Sequence, residues 1–129
     1  MVRKLTFAFA IVFAVVVAIG YVPQFITAEG EERLLFGLFE LSLIDDITHG
    51  VTAVAALAAS LMSRRLSLLF LTAFGFYYGL DAVFFLTYGF FNDKSYIADI
   101  LLNFPHVAIA TAMLSITYVL DPKLAARGD

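Results

Sequence analysis

Residues Leu5 to Ile26 read LTFAFAIVFAVVVAIGYVPQFI, a run of mainly apolar side chains without a single charge. A helix needs about 20 apolar residues to cross the hydrocarbon core of a bilayer, and this run is long enough. Backbone N–H and C=O groups in lipid must bond to each other, which favours a helix over other conformations. The stretch therefore predicts a first transmembrane helix over about residues 5–26.

Three further apolar stretches follow, and short polar segments separate them. They predict helices over about residues 34–62, 66–91 and 96–120. The last helix is expected to end at Asp121-Pro122, because proline cannot continue the hydrogen-bond ladder. We expect an all-α fold in which residues 1–129 form a single transmembrane domain, an integral membrane four-helix bundle.

The composition agrees with this interpretation. Hydrophobic residues make up 62% of the chain and the mean hydropathy is +0.93, whereas a soluble domain is about 45–50% apolar. The net charge is only -3, with no basic face for nucleic acid, so the lipid bilayer is the expected partner. The absence of cysteine excludes disulfides, thiolate zinc sites and iron–sulfur clusters.

Basic residues are distributed unevenly among the segments outside the predicted helices. Residues 29–33 and 92–95 are mainly acidic or neutral and hold one basic residue each. The remaining segments carry Arg3-Lys4, Arg64-Arg65, and Lys123 with Arg127. The positive-inside rule therefore predicts a multi-pass protein of the cell inner membrane with both termini in the cytoplasm.

One alternative concerns the first helix. Arg3-Lys4 followed by an apolar run resembles a secretory signal peptide, whose removal would leave three helices. The run is long for a signal peptide, and Ile26-Thr27-Ala28 is a poor cleavage site.

Polar residues inside the predicted helices are informative, because ionisable groups in a membrane usually face the bundle interior. Asp46 and His49 are three positions apart and share one face of the second helix. Asn103 and His106 do the same on the fourth, and at 1.5 Å per residue the two histidines reach similar depths. Asp81 on the third helix reaches about the same level. The residues expected to converge in the outer half of the bundle, as candidates for binding or proton relay, are Asp46, His49, Asp81, Asn103 and His106.

The two polar motifs align as a short internal repeat. Residues 43–49 (LIDDITH) match residues 100–106 (ILLNFPH), and each copy leads into a helix with (Asp/Asn)-x-x-His. This pattern indicates two similar helix pairs. Pro105 cannot donate to the carbonyl of Leu101, so it either creates a binding element or serves packing alone.

Several of these motifs resemble the signature of a family of small bacterial four-helix membrane proteins, the domain-of-unknown-function 4383 family. The resembling segments are Gly20-Tyr21-Val22-Pro23, residues 35–40 (LFGLFE) with their continuation to Asp46-x-x-His49-Gly50, and Asn103-x-x-His106. The resemblance covers nearly the whole chain and implies the topology and the paired motif, but no activity. The family tends to show Asn-x-x-His in both halves, whereas this chain has Asp46 with Asp45 beside it, which argues against a strictly symmetric site.

Three function classes stay open. In a structural or accessory membrane protein, the polar residues bond to each other and fix helix register, and no cofactor is needed. In a transport or sensing protein, the carboxylates and histidines relay protons or hold a cation, and a homo-oligomer or a larger membrane complex completes the pore. In a b-type haem protein for electron transfer, His49 and His106 are the axial ligands. A di-metal enzyme is disfavoured because the carboxylates are too few, so no enzyme is expected.

Overall fold

The computed structural model describes residues 1–29, 32–91 and 96–122, and the described chain is predominantly helical. Four α-helices account for most of it, which confirms the all-α expectation in its coarse form. Their bounds are Val2–Ile19 (α1), Leu43–Met62 (α2), Arg64–Phe91 (α3) and Tyr96–Ser115 (α4), and α4 continues as a π-helical turn over Ile116–Leu120. An unexpected antiparallel sheet, ordered β1-β2-β3, consists of Ile26–Glu29 (β1), Glu32–Leu35 (β2) and Phe39–Glu40 (β3).

Three helices of the described chain are long and apolar enough to cross a membrane. They cover Val2–Ile19, Arg64–Tyr88 and Ile100–Leu120. Helix α2 does not belong to this set, although its 20 residues match the thickness of the hydrocarbon core. Its first two turns contain Asp45, Asp46 and His49, which lower its mean hydropathy.

The connection between the first two helices differs from the prediction of helices over residues 5–26 and 34–62. Helix α1 ends at Ile19, α2 begins only at Leu43, and the residues between them include the sheet. The chain reverses direction between β2 and β3 at Phe36 and Gly37, which have φ angles of 55° and 68°. Right-handed helices do not tolerate these angles, so the apolar run from Leu34 cannot continue into α2.

Ser42 sets the start of α2. Its hydroxyl oxygen accepts a hydrogen bond from the backbone N–H of Asp45 at 3.1 Å, and its O–H donates to the Asp45 carboxylate at 2.6 Å. The bond from Asp45 satisfies one of the backbone donors that the first helical turn leaves open. Asp45 and Asp46 lie in that turn, where the helix dipole favours negative charge.

The chain divides into two compact units, and the division falls between Ser67 and Leu68 of α3. In the first unit, contacts along their length show that α1 and α2 run antiparallel. Arg3 donates to the carbonyl oxygens of Ser60 and Leu61, both at 2.7 Å, close to the C-terminal end of α2. At the other end, the Tyr21 hydroxyl donates to Asp46 at 2.9 Å.

The second unit contains most of α3 together with α4, and Gly75 of α3 lets these helices approach closely. A methyl group at Gly75 would lie 2.8 Å from Cδ2 of Leu114 and 3.2 Å from Cβ of Met113. A methyl group at Gly79 would meet Cβ of Ala110 at 3.7 Å, an ordinary contact distance. The small residues of α3 therefore serve packing within the chain.

Several residues used in the sequence predictions lie outside the described part of the chain. They include Lys123 and Arg127, on which the predicted orientation partly depends, and residues 92–95.

Substitution of the two glycines by alanine separates close packing from helix propensity. Both changes gain the same intrinsic helix propensity, about 1 kcal/mol. We expect Gly75→Ala to lower the free energy of unfolding by about 1–3 kcal/mol relative to Gly79→Ala, because only Gly75 faces side chains that must shift. Denaturant titration in detergent, monitored by circular dichroism, measures the difference. Equal stability of the two variants would contradict the described packing.

Candidate functional site

The predicted polar residues of the second unit come together between α3 and α4. Nδ1 of His106 lies 2.9 Å from Oδ2 of Asp81. The side chains are 27% and 26% exposed, but the Nδ1 atom of His106 is itself buried, and its contact with Asp81 is a short approach without hydrogen-bond geometry. Asp81 and His106 therefore form an acid–base pair that joins two antiparallel helices.

Tyr78 packs against the same histidine. Its ring lies 5.6 Å from the ring of His106, measured between centroids, and Tyr78 itself is only 2% exposed. Tyr78 is one turn before Asp81, so α3 brings both a carboxylate and an aromatic face to His106. Asn103 is one turn before His106 on α4 and is 9% exposed. The predicted Asn103-x-x-His106 face is thus at least partly directed into the protein.

The predicted polar residues of the first unit take a different arrangement. Asp46 lies in the first turn of α2, and its carboxylate accepts a hydrogen bond from Tyr21. The expectation that Asp46 lies well inside a helix is therefore corrected, because α2 starts at Leu43 and not near residue 34. His49 lies one turn further along and stacks on Phe13 of α1, with ring centroids 5.8 Å apart and planes 24° from parallel.

The two histidines occupy equivalent positions in their hairpins. Each is on the second helix of its pair and packs on a buried aromatic ring of the first helix, Phe13 or Tyr78. The helix pairs differ three residues beyond that ring, where α3 carries Asp81 and α1 carries Val16. The internal repeat stays a prediction, and the packing of a histidine on a buried ring is the feature that the two hairpins share. A contact between a histidine and a carboxylate is described in the second hairpin.

Electrostatics at the exposed end of the first unit centre on Tyr21. The hydrogen bond to Asp46, together with the negative charge of that carboxylate, raises the pKa of the Tyr21 hydroxyl above its usual value of 10.0. The positive charge of Arg33 acts in the opposite direction. Arg33 also donates from Nη2 to the carbonyl oxygen of Gly20 at 3.0 Å, so it joins β2 to the end of α1.

The structure brings together some of the five candidate residues. Asp81 contacts His106, whereas Asp46 and His49 contact side chains of α1. Their convergence into a single cluster stays a prediction. In the described part of the chain, no three histidine, aspartate or glutamate side chains are grouped so that they could hold a metal ion.

The sequence pattern does not predict the contacts of Phe13, Tyr21 and Arg33. Phe13 is one apolar residue among many and Arg33 belongs to no recognised motif, while the family resemblance that includes Tyr21 implies no partner for its hydroxyl. The start of α2 carries a usable signal, because Ser42-x-x-Asp45 has the spacing of a helix-capping box.

Comparison with known proteins found no matching family model, no matching curated protein and no matching solved structure.

Replacement of Asp46 tests the origin of the raised Tyr21 pKa. A raised pKa means that the folded protein favours the protonated hydroxyl, so this contribution to stability is present below about pH 10 and is lost as the pH rises through the pKa of the folded state. We expect Asp46→Asn to lower the pKa of Tyr21. Tyrosinate absorbance of each protein, minus that of its Tyr21→Phe counterpart, isolates Tyr21 among the six tyrosines.

The matched control is Asp45→Asn, because the Asp45 carboxylate bonds to Ser42 and is adjacent in sequence. It should leave the Tyr21 titration nearly unchanged. A similar shift in both variants would show that general negative charge, and not the hydrogen bond from Tyr21, raises the pKa.

Proposed function

We propose that this chain is a structural or accessory protein of the cell inner membrane, with four transmembrane helices and both termini in the cytoplasm. The contact between Asp81 and His106 carries the proposal. It gives two polar side chains a partner inside their own hairpin, which is what a structural role requires. A polar group left unpaired in an apolar environment costs several kcal/mol.

The burial pattern of α2 supports a fourth membrane span. Its large apolar side chains point outward, and Leu43, Ile47, Val51, Val54 and Leu61 are all more than half exposed. Its buried positions are small or carry a hydroxyl, namely Thr52, Ala56, Ala59 and Ser60. A helix in water would bury the large residues instead, whereas lipid solvates them and small residues favour helix contact.

Charge in the first unit supports the orientation. The end at which Arg3 contacts α2 also holds Lys4, Arg64 and Arg65, and all four side chains are exposed. The opposite end of α2 carries Asp45 and Asp46 in its first turn. The positive-inside rule assigns the basic end to the cytoplasm. Arginines in the first turn of α3 are unfavourable for the helix dipole, so helix stability does not explain their position.

Single cysteines test whether α2 crosses the membrane, since the natural chain contains none. Glu40→Cys and Ser63→Cys place thiols just before and just after α2. We expect an impermeant maleimide added to intact spheroplasts to label Glu40→Cys, and to label Ser63→Cys only after lysis. Labelling of both from the same side would exclude α2 as a membrane span.

A double-mutant cycle tests the structural role. We expect Asp81→Ala and His106→Ala each to lower the free energy of unfolding by about 1–3 kcal/mol, since each leaves a polar partner behind. The double variant should lose less than the sum, by about 0.6 kcal/mol, the average coupling between transmembrane helices, and at most about 1.7 kcal/mol. Denaturant titration in detergent provides all four values.

The control cycle combines His106→Ala with Thr87→Val. Thr87 is also on α3, but its hydroxyl donates to the Val83 carbonyl oxygen of the same helix, so the two losses should add. Additive losses for Asp81 and His106 would contradict the proposal that their contact stabilises the hairpin.

Proton or cation transport or sensing is the second candidate. The observation in its favour is that Asp81 and His106 form an acid–base pair on apolar helices. About a quarter of the surface of each side chain is exposed at the surface of the chain. Such pairs occur in proton relays. Proton flux into liposomes by the parent protein, abolished in a folded Asp81→Ala variant, would favour this function. Equal flux in vesicles with and without protein would exclude proton relay.

Membership of the domain-of-unknown-function 4383 family, assembly into a homo-oligomer or larger complex, and haem b ligation by His49 and His106 are further proposals. The equivalent packing of the two histidines supports the two-hairpin organisation that the family resemblance implies.

A further inference from the structure

The turn between β2 and β3 presents an exposed apolar surface at the sheet end of the first unit. We call Phe25, Phe36 and Leu38 the aromatic tip. Their exposed fractions are 41%, 54% and 63%, and the rings of Phe25 and Phe36 lie 5.4 Å apart. Large apolar side chains that are exposed together on a surface are typical of a site that contacts a membrane or another protein.

The backbone holds the aromatic tip in a strained conformation. Phe36 has a φ of 55°, and no other described non-glycine residue has a positive φ. A bulky residue in this region costs about 1–3 kcal/mol, so surrounding contacts must maintain it. The backbone N–H of Phe36 donates to the Phe25 carbonyl oxygen at 2.7 Å, and Gly37 continues the left-handed turn without penalty.

Two backbone donors near the tip have partners within the sheet. The backbone N–H of Leu38 donates to the Leu35 carbonyl oxygen at 3.1 Å. The backbone N–H of Leu41 donates to the Arg33 carbonyl oxygen at 2.8 Å. Unpaired backbone groups are the main obstacle to placing irregular chain in an apolar environment. The sheet removes much of that obstacle at the tip.

Two observations indicate the depth of the sheet. Arg33 of β2 bonds to the Gly20 carbonyl oxygen, directly after a helix that is apolar enough to cross a membrane. Helix α2 starts shortly after β3 with Leu43 and Ile44, which are 71% and 76% exposed. The apolar surface of the tip thus belongs to the same end of the unit as the first lipid-facing residues proposed for α2. Aromatic residues concentrate at this level of membrane proteins.

We propose that the aromatic tip inserts into the interfacial layer of the outer leaflet, so that lipid is its occupant. This inference rests on the proposed function, because it requires that the chain spans the membrane. The tip anchors the sheet to the bilayer by burying apolar area, and the paired backbone remains within the sheet.

Tryptophan fluorescence tests the insertion directly, because the chain contains no tryptophan. Phe36→Trp is reconstituted into phosphatidylcholine–phosphatidylglycerol vesicles, with and without brominated acyl chains. We expect blue-shifted emission and at least a twofold loss of intensity with brominated lipid. Glu40→Trp, at an exposed polar position of β3, should emit at longer wavelength and lose little intensity.

Phe76→Trp reports on the membrane span itself. Phe76 is 52% exposed and lies in the middle of the apolar part of α3. Quenching of Phe76→Trp without quenching of Phe36→Trp would overturn the insertion of the tip and leave the proposed function standing. Absence of quenching at both positions would overturn the proposed function and, with it, the insertion of the tip.

Blue-shifted but unquenched emission from Phe36→Trp would show that protein covers the tip, and would also overturn the proposal. If Phe36→Trp does not fold, Leu38→Trp provides the same measurement at a position without a positive φ.

Discussion

The packing of each histidine on an aromatic ring of the preceding helix is the interaction around which both hairpins are organised. Phe13 and Tyr78 are almost completely buried, and each sets the level at which its partner helix places a histidine. In the second hairpin Asp81 adds a direct polar contact, so His106 is held from two positions one turn apart on α3.

Polar groups at the helix ends complement this packing. Arg3 donates to a carbonyl oxygen near the end of α2, and the Ser42 hydroxyl oxygen accepts from one backbone N–H at its start. Ser63 links two helices, because the Ala59 carbonyl accepts from its N–H and its side-chain oxygen accepts from Leu66 at 3.1 Å. In a hairpin with mainly small residues between its helices, such end contacts restrict sliding of one helix along the other.

The sequence predicted some parts of this fold well and others poorly, for physical reasons. Helix α3 can be recognised because apolar residues predominate over its whole length, Asp81 is the only charged residue in its interior, and polar residues flank both ends. The segment from Leu34 to Glu40 is equally apolar, but hydropathy does not distinguish a short strand from a helix, and the backbone reversal at Phe36 leaves only Gly37 as a signal.

Individual side-chain contacts could be predicted only where spacing along one helix determines them. The shared face of Asn103 and His106 follows from helical periodicity. The pairing of Asp81 with His106 depends also on the register between α3 and α4, where Gly75 permits a close approach of the two helices. A contact between two residues on different helices of a hairpin leaves no recognisable pattern in a single sequence.

Val16 occupies the position in α1 that Asp81 occupies in α3, three residues after the buried aromatic ring. The packing of a histidine on that ring therefore accommodates either an apolar residue or a carboxylate one turn away. The ring contact and the acid–base contact are thus separable parts of the second hairpin, and each can be altered by substitution at its own position on α3.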